Sequence, residues 1–241
     1  MKYGIVFLLL GLVCGFNAWM SGSLWSKVVL TNIALCFSGV GLGFLWIGPR
    51  VFLKRREGKL SVLSYLIFWP YHLLNWLSLV VIGRTSQENP VDEIVPCLYL
   101  GRYPTRFDTE TGPSYEAVLD LTCEFPRSVA AGAALAYQCI PLLDTFAPSL
   151  EQLTEGVRFI QAHISHGPVL VHCAMGHGRS ATFVAAYLVA AGIVPDAPAA
   201  LQYVQAKRAR IGLHAGQAGA LEKFASCIPR ASVEPQCSIS R

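Results

Sequence analysis

The chain has 241 residues, of which 53% are hydrophobic and 14% are charged, and its formal net charge is +4. This charge divides into +6 for residues 1–83 (seven Lys/Arg, one acid) and −2 for residues 84–241 (twelve Lys/Arg, fourteen acids). The basic excess therefore lies beside apolar segments, which excludes a nucleic-acid-binding domain. Eight cysteines lack metal-ligand spacing, so we expect neither a bound metal nor a disulfide scaffold.

Three apolar segments occupy the first 83 residues, at about 4–20, 24–47 and 60–83. The second follows the first at once, which favours an uncleaved membrane span at 4–20 over a cleaved signal peptide. The third contains Pro70, His72 and Asn75 and has aromatic residues near its middle, so its geometry is ambiguous. We predict that residues 1–83 form an integral, multi-pass transmembrane region with two or three spans.

Five basic residues separate the second and third segments and define the basic loop (residues 50–59): Arg50, Lys54, Arg55, Arg56 and Lys59. The positive-inside rule assigns this loop to the cytoplasm. If the third segment spans the membrane, the rest of the chain lies on the opposite face. If the segment is re-entrant or lies in the interface, the rest of the chain stays in the cytoplasm. The sequence leaves both topologies open.

A polar linker is predicted at 84–93, followed by a domain at 94–241. In this domain, short runs typical of strands alternate with runs of helical periodicity. Strands are predicted at 94–100, 117–121, 137–140 and 169–172, and helices at 150–163, 180–191, 198–208 and 216–227. This alternation predicts an α/β fold with a central sheet flanked by helices.

Residues 168–180 contain the most informative motif, in which a buried strand runs into a glycine-bearing loop and then a helix. Such a loop directs successive backbone N–H groups at one point, and the helix N-terminus adds positive charge there. Cys173 lies at this point, so we expect its thiolate to be stabilised and to act as a nucleophile. Arg179, six residues later, can bind two phosphate oxygens with its planar guanidinium.

Other residues of the motif are assigned supporting roles. We expect Ser180 to stabilise the departing thiolate, although its hydroxyl could simply cap the helix. His172 is expected to fix the loop and to assist the thiolate, although a hydrogen-bonded core histidine is an alternative. The groups predicted to bind the phosphate are the backbone N–H groups of Ala174, Met175, Gly176, His177 and Gly178, together with the side chain of Arg179.

Asp144 is the candidate general acid, because phosphate transfer needs a proton donor for the leaving oxygen on a separate loop. It follows a predicted strand, lies in a loop bounded by Pro141 and Pro148, and precedes Cys173 by 29 residues. The alternative is an exposed aspartate or a cap for the next helix.

The pattern His172-Cys173-x5-Arg179-Ser180 resembles the signature of the cysteine-dependent protein tyrosine phosphatases, and the aspartate about thirty residues upstream resembles their dual-specificity branch. Residues 98–104, 120–126 and 172–180 are similar to the membrane-tethered dual-specificity phosphatases of bacteria and plants. The resemblance covers roughly residues 94–226. It implies a protein-tyrosine-phosphatase-like sheet and a mechanism that needs neither metal nor cofactor.

The leading hypothesis is therefore a phosphatase of phosphotyrosine, phosphoserine or phosphothreonine in proteins. The first alternative is a phosphatase of membrane lipid phosphates such as phosphatidylglycerophosphate, and a phosphate-binding pseudophosphatase is a weaker one. Ala174, Met175 and His177 stand where polyanion phosphatases often carry basic residues, which disfavours highly charged head groups. Lys207, Arg208 and Arg210 could meet an anionic substrate or the membrane, but a solvated helix end is the simpler interpretation. The oligomeric state stays open.

Overall fold

The structure, a computed structural model, describes residues 2–106, 108 and 113–228. Residues 229–241, which we assigned to the predicted domain and which include Cys237, lie outside the described residues. The described chain consists of three apolar helices followed by an α/β unit, which confirms the predicted fold class.

The apolar region begins with two antiparallel helices, α1 (Lys2–Met20) and α2 (Leu24–Leu42). They approach closely at small residues: a Cβ atom on Gly4 would lie 2.6 Å from the Leu45 side chain, and one on Gly41 would lie 2.8 Å from that of Leu8. A π-helical turn (Gly43–Ile47) and a 3₁₀ turn (Gly48–Phe52) continue α2 into the basic loop. We call α1 and α2 the helical hairpin.

The third helix, α3 (Val62–Thr85), begins at the Ser61 cap, whose side chain accepts a hydrogen bond from the Ser64 N–H. Phe68 has non-helical backbone angles (φ −102°, ψ 15°) because Pro70, inside the helix, disrupts the preceding turn. All three helical segments are long and apolar enough to cross a membrane. Their positions overlap the three predicted segments. The linker predicted at 84–93 was too long, because α3 extends to Thr85 and the first strand begins at Val91.

Five strands form the sheet: β1 (Val91–Val95), β2 (Leu98–Gly101), β3 (Ala117–Thr122), β4 (Ala136–Leu142) and β5 (Val169–His172). Their spatial order is β1-β2-β5-β3-β4, and every neighbouring pair is parallel except β1 and β2. Every residue of β3 and β5 is buried, as expected for parallel strands covered on both faces. The carboxyl ends of these central strands face the candidate site.

One strand prediction was wrong. Residues 94–100 do not form a single strand, because the chain reverses between β1 and β2, where Cys97 adopts a left-handed conformation (φ 65°). The apolar residues on both sides of the turn concealed it in the sequence.

The helices described around the sheet are α4 (Val129–Ala133), α5 (Leu150–His163), α6 (Arg179–Ala190), α7 (Ala197–Lys207) and α8 (Ala215–Cys227). All but the short α4 begin and end within one residue of a predicted helix. A capping box of Ser149 and Gln152 sets the start of α5. Helix α6 is buried on nearly all sides, and Phe183 at its centre belongs to the main core cluster together with Leu119 and Val171.

The apolar region packs directly against the α/β unit. Phe44 and Phe52 form one buried cluster with Cys123 and Leu143, which lie in loops at the carboxyl ends of β3 and β4. Leu79 of α3 forms a second cluster with Tyr103, Phe125 and Ala174. Both clusters lie on loops at the same end of the sheet, so the apolar helices contact the side of the unit that carries the candidate site.

Candidate active site

The loop between β5 and α6 (residues 173–178, the cysteine loop) folds back against the end of β2. Gly176 has a positive φ of 75°, and a Cβ atom there would lie 2.6 Å from the carbonyl carbon of Gly101. Only glycine avoids both the strained backbone and this overlap. The sequence motif therefore forms the tight, glycine-dependent loop that we expected.

Cys173 is only 3% exposed, and its Sγ atom lies at the centre of the cysteine loop. The Gly176 N–H donates to this sulfur at 3.2 Å, and the Ser180 hydroxyl lies 3.3 Å from it. The sulfur also stands at the N-terminal end of α6, where unpaired N–H groups favour negative charge. This surrounding can stabilise a thiolate and, beside it, a phosphate group.

Arg179 is held by two strand-end loops. Its guanidinium donates to both carboxylate oxygens of Glu124, at 2.7 and 3.0 Å, and to the carbonyl oxygen of Leu142 at 2.8 Å. Its Nε atom is buried and has no hydrogen-bond partner among the described residues, so this N–H is available to an anion. The guanidinium is therefore fixed in one orientation beside the sulfur, and its Nε–H group can still donate to a bound phosphate.

Glu124 is fully buried, yet it stays charged. Burial alone would raise the pKa of its carboxyl group, but the positive charge and hydrogen bonds of Arg179 outweigh burial and lower that pKa. The same carboxylate accepts a hydrogen bond from the Cys123 N–H at 2.9 Å. Glu124 thus links the β3 loop to Arg179, a positioning contact that we did not predict.

Asp144 lies two residues beyond β4, in a loop whose backbone turns sharply at Thr145 (φ 66°). Its side chain is 67% exposed, and its Oδ1 atom lies 3.4 Å from Nη2 of Arg179. Its neighbour Leu143 is buried, so the loop is anchored while the carboxyl group remains accessible. The structure therefore places the predicted acid at the mouth of the cysteine loop.

His172 is fully buried beneath the cysteine loop. Its Nδ1 atom lies 3.3 Å from the carbonyl oxygen of Cys173, which can only accept, so the neutral ring carries its proton on Nδ1. Burial lowers the pKa of His172, which favours the neutral form. Its Nε2 atom lies 3.9 Å from Oδ1 of Asp120. His172 thus supports the backbone of the loop. The hydrogen bonds recorded for the Cys173 sulfur come from Gly176 and Ser180 instead.

Asp120 leads from this histidine to the apolar region. It binds Nζ of Lys54 at 2.7 Å, and both side chains are completely buried. Tyr137 donates to the same carboxylate at 2.8 Å. Burial would raise the pKa of Asp120, but the charge of Lys54 and the hydrogen bonds from Lys54 and Thr122 outweigh it and lower the pKa to about 2. Lys54 of the basic loop therefore contacts the buried residues Asp120 and, through it, His172, which support the cysteine loop.

The interpretation of Arg208 was wrong, and His177 has a contact that we did not predict. Arg208 is neither a solvated helix end nor a substrate contact, because it is buried and donates to the carbonyl oxygens of Gly176 (3.0 Å) and Met175 (3.3 Å). It also pairs with Asp92 at 2.7 Å. His177, to which we assigned no task beyond the phosphate contact of its N–H, lies 2.8 Å from the Glu88 carboxylate. Both therefore brace the outer side of the cysteine loop.

Two further positioning residues were missed. His72 of α3 lies 3.0 Å from the carbonyl oxygen of Glu124, and Gln217 of α8 donates to the carbonyl oxygen of Phe146 at 3.2 Å. A Cβ atom on Gly178 would lie 2.9 Å from the Gln217 side chain, so Gln217 also packs on the cysteine loop. The sequence signal for His72 was a polar residue inside an apolar segment, which we treated only as a sign of ambiguous geometry.

Comparison with known proteins agrees with this geometry. The catalytic-domain model of the dual specificity phosphatase family matches residues 98–227. The phosphatidylglycerophosphate phosphatase PTPMT2 of Arabidopsis thaliana is 32% identical over 179 residues, covering 71% of this chain and 77% of that protein. The phosphatidylglycerophosphate phosphatase PTPMT1 of Arabidopsis thaliana is 41% identical over 187 residues, covering 73% of this chain and 54% of that protein.

Among solved structures, Tk-PTP in its active form has a TM-score of 0.52 and 28% sequence identity, covering 58% of this chain and 98% of that one. The structural similarity to Tk-PTP thus covers a little over half of this chain.

Proposed function

This chain belongs to the dual-specificity phosphatase family and is a cysteine-dependent phosphatase, and we propose that it hydrolyses a lipid phosphate monoester at a membrane surface. In this proposal Cys173 is the nucleophile, Arg179 binds the phosphate, and Asp144 is the general acid. Ser180 assists the leaving thiolate, and His172 positions the loop.

The first chemical step transfers the phosphoryl group to the enzyme. The Cys173 thiolate attacks phosphorus, the bond between phosphorus and the substrate alcohol breaks, and Asp144 gives its proton to the departing alkoxide oxygen. Arg179 and the N–H groups of residues 174–178 bind the non-bridging oxygens, whose charge they stabilise in the transition state. The exposed carboxyl group of Asp144, 3.4 Å from Arg179, supports its role over the bound phosphate.

The second step releases phosphate. Asp144, now ionised, takes a proton from a water molecule as that water attacks phosphorus, and the bond between sulfur and phosphorus breaks. The electron pair of that bond returns to Cys173 as a thiolate. The Ser180 hydroxyl, 3.3 Å from Sγ, can donate to this thiolate and so assist its departure.

The observation that carries the lipid assignment is the contact between α3 and the cysteine loop. Leu79 of this apolar helix packs in one buried cluster with Ala174, the residue after the nucleophile. Trp76, one turn earlier, packs edge-on against Tyr103 and Phe125, with ring centroids 5.6 and 5.5 Å apart. A substrate whose acyl chains stay in the bilayer can therefore bring its phosphate to a site that lies beside an apolar helix.

Two further facts support the lipid assignment. The two Arabidopsis relatives are both named phosphatidylglycerophosphate phosphatases. The loop residues Ala174 and Met175 add no positive charge, which suits a head group with one terminal phosphate better than a polyphosphorylated one. Phosphoproteins, the leading hypothesis from the sequence, become the second candidate, because other relatives are named dual specificity protein phosphatases.

The test uses the full chain reconstituted in vesicles containing phosphatidylglycerophosphate, beside a phosphotyrosine peptide, with chelator present throughout. Cys173→Ser should abolish phosphate release from every substrate. Asp144→Asn should lower kcat about 10²-fold or more, whereas Asp196→Asn, which keeps the cap of α7, should not. Faster turnover of the peptide than of the lipid would overturn the lipid assignment, and turnover that survives Cys173→Ser would overturn the mechanism.

A further inference from the structure

The position of Lys54 restricts how the chain can cross a membrane. Lys54 lies in the basic loop between α2 and α3, and its ammonium group binds Asp120 at 2.7 Å, the Thr122 carbonyl oxygen at 2.8 Å and the Thr122 hydroxyl at 3.0 Å. Both charged side chains of the ion pair are completely buried. If α3 crossed the bilayer, about 30 Å of hydrocarbon would separate the basic loop from the catalytic unit. The ion pair therefore requires both on one face.

The second half of α3 lies along the catalytic unit over its whole length. His72 contacts Glu124, Trp76 contacts Tyr103 and Phe125, and Leu79 packs in the cluster with Ala174. At Gly83, an added Cβ atom would overlap the Arg102 guanidinium. The spacings of four, three and four residues place these positions on one face of the helix. That face is therefore covered by polar, aromatic and apolar contacts with the catalytic unit, and lipid cannot reach it.

The opposite face of α3 is apolar, and its side chains are about half exposed. Its exposed fractions range from 44% to 56%, and its members are Leu73, Leu74, Leu77, Val80 and Val81. The helical hairpin also exposes apolar side chains, and Val6, Leu12 and Val28 are more than half exposed. Exposed apolar surface of this extent is typical of contact with a membrane.

We propose that the helical hairpin alone crosses the bilayer, and that α3 lies in the interface with its Leu73–Val81 face in the lipid and the catalytic unit on its other face. The bilayer is thus the occupant of the exposed face. The catalytic unit then shares a membrane face with the basic loop, which the excess of Arg and Lys assigns to the cytoplasm. This topology does not depend on which phosphate monoester is the substrate.

Tag accessibility tests the topology on the full chain. One tag precedes Lys2, one is inserted after Gly22 in the turn of the hairpin, and one follows Arg241, each in a separate protein. In sealed vesicles treated with protease, we expect the first and third tags to be cleaved together and the hairpin tag to respond oppositely. Cleavage of the C-terminal tag together with the hairpin tag would show that α3 spans and would overturn the proposal. Uniform cleavage of all three tags would overturn the spanning hairpin.

Orientation is read in spheroplasts of a bacterial host. The C-terminal tag should be protected there, and its cleavage would overturn the assignment to the cytoplasm.

The interfacial position of α3 needs a measurement that does not depend on turnover. A photoreactive benzoylphenylalanine replacing Leu77 should crosslink to phospholipid in reconstituted vesicles. The matched control carries the same group in place of Ile193, which is 43% exposed in the turn after α6, at the end remote from the cysteine loop. Lipid crosslinking at both positions, or at neither, would overturn the interfacial placement.

Discussion

Helices α1 and α3 both qualify as membrane spans by length and composition, but their surroundings differ. The buried residues of α1 are Gly4, Gly11 and Ala18, small residues that allow close packing against α2. Those of α3 include Ser64 and His72, whose side chains bond to each other at 3.2 Å, with His72 also bonded to Glu124. Apolarity alone does not distinguish a span from an interfacial helix, whereas buried polar contacts with a neighbouring domain do.

Removing the two kinds of helix separately should have the largest effect. A fragment of residues 49–241 keeps the basic loop and α3, whereas a fragment of residues 86–241 loses Lys54 and His72. We expect the longer fragment to hydrolyse soluble p-nitrophenyl phosphate and the shorter one to lose at least about tenfold in kcat/KM, because Asp120 is left as an unpaired buried charge. Equal melting temperatures and equal turnover in the two fragments would contradict this expectation.

A single substitution isolates the ion pair. Lys54→Met should lower the free energy of unfolding by about 3–5 kcal/mol, the usual cost of removing one partner from a buried pair. Lys59→Met, in the exposed part of the same loop, should change it by less than about 0.5 kcal/mol. Denaturant unfolding of the detergent-solubilised chain measures both values, and similar losses in the two variants would refute a specific role for Lys54.

The effect of Lys54→Met should also depend on pH. In the parent chain the pKa of Asp120 is about 2, below the ordinary 3.8, so its stabilising effect is present above about pH 4 and is lost as the pH falls towards 2. Without Lys54, burial raises the pKa of Asp120, and stability is lost as the pH rises through that value. The difference between variant and parent should therefore be largest at neutral pH and shrink towards pH 4. A difference that does not vary with pH would argue against the Asp120 charge as its cause.

The smallest expected effect concerns the link from α3 to Arg179. His72→Phe removes the hydrogen bond to the Glu124 carbonyl oxygen, which leaves a buried acceptor unpaired at a cost of about 1–3 kcal/mol. We expect kcat for p-nitrophenyl phosphate to fall several-fold while KM changes little, since Glu124 orients Arg179. The control is His163→Phe on α5, where the ring bonds only within its own helix, to Phe159. An equal fall in the control would show that α3 does not act on Arg179 through Glu124.

The centre of the site was predictable from the sequence because it is local. Cys173, Gly176, Arg179 and Ser180 lie within eight residues, and a strand, a glycine turn and a helix determine their relative positions. Asp144 was predictable for a related reason, since parallel strands β4 and β5 end at the same edge of the sheet. For these residues, chain order and secondary structure carry most of the geometry.

The supports of the site depend on contacts between distant parts of the chain. Lys54 and Asp120 are 66 residues apart, and Arg208 and Gly176 are 32 apart. A basic residue beside an apolar segment gives the same sequence signal whether it is solvated or buried in an ion pair, so composition pointed to membrane topology alone. Arg208 was misassigned for the same reason, because its position near the end of α7 is typical of a solvated helix end.

The buried bond between Lys54 and Asp120 also bears on how the protein is made. Translation delivers the hairpin and the basic loop before the strand that carries Asp120, so the ammonium group is already in place when its partner leaves the ribosome. A chain whose hairpin fails to insert would hold its basic loop in aggregated apolar sequence and leave Asp120 without its counter-ion. In the proposed topology, the ion pair of the full-length chain therefore forms at the membrane surface, after the hairpin has been inserted.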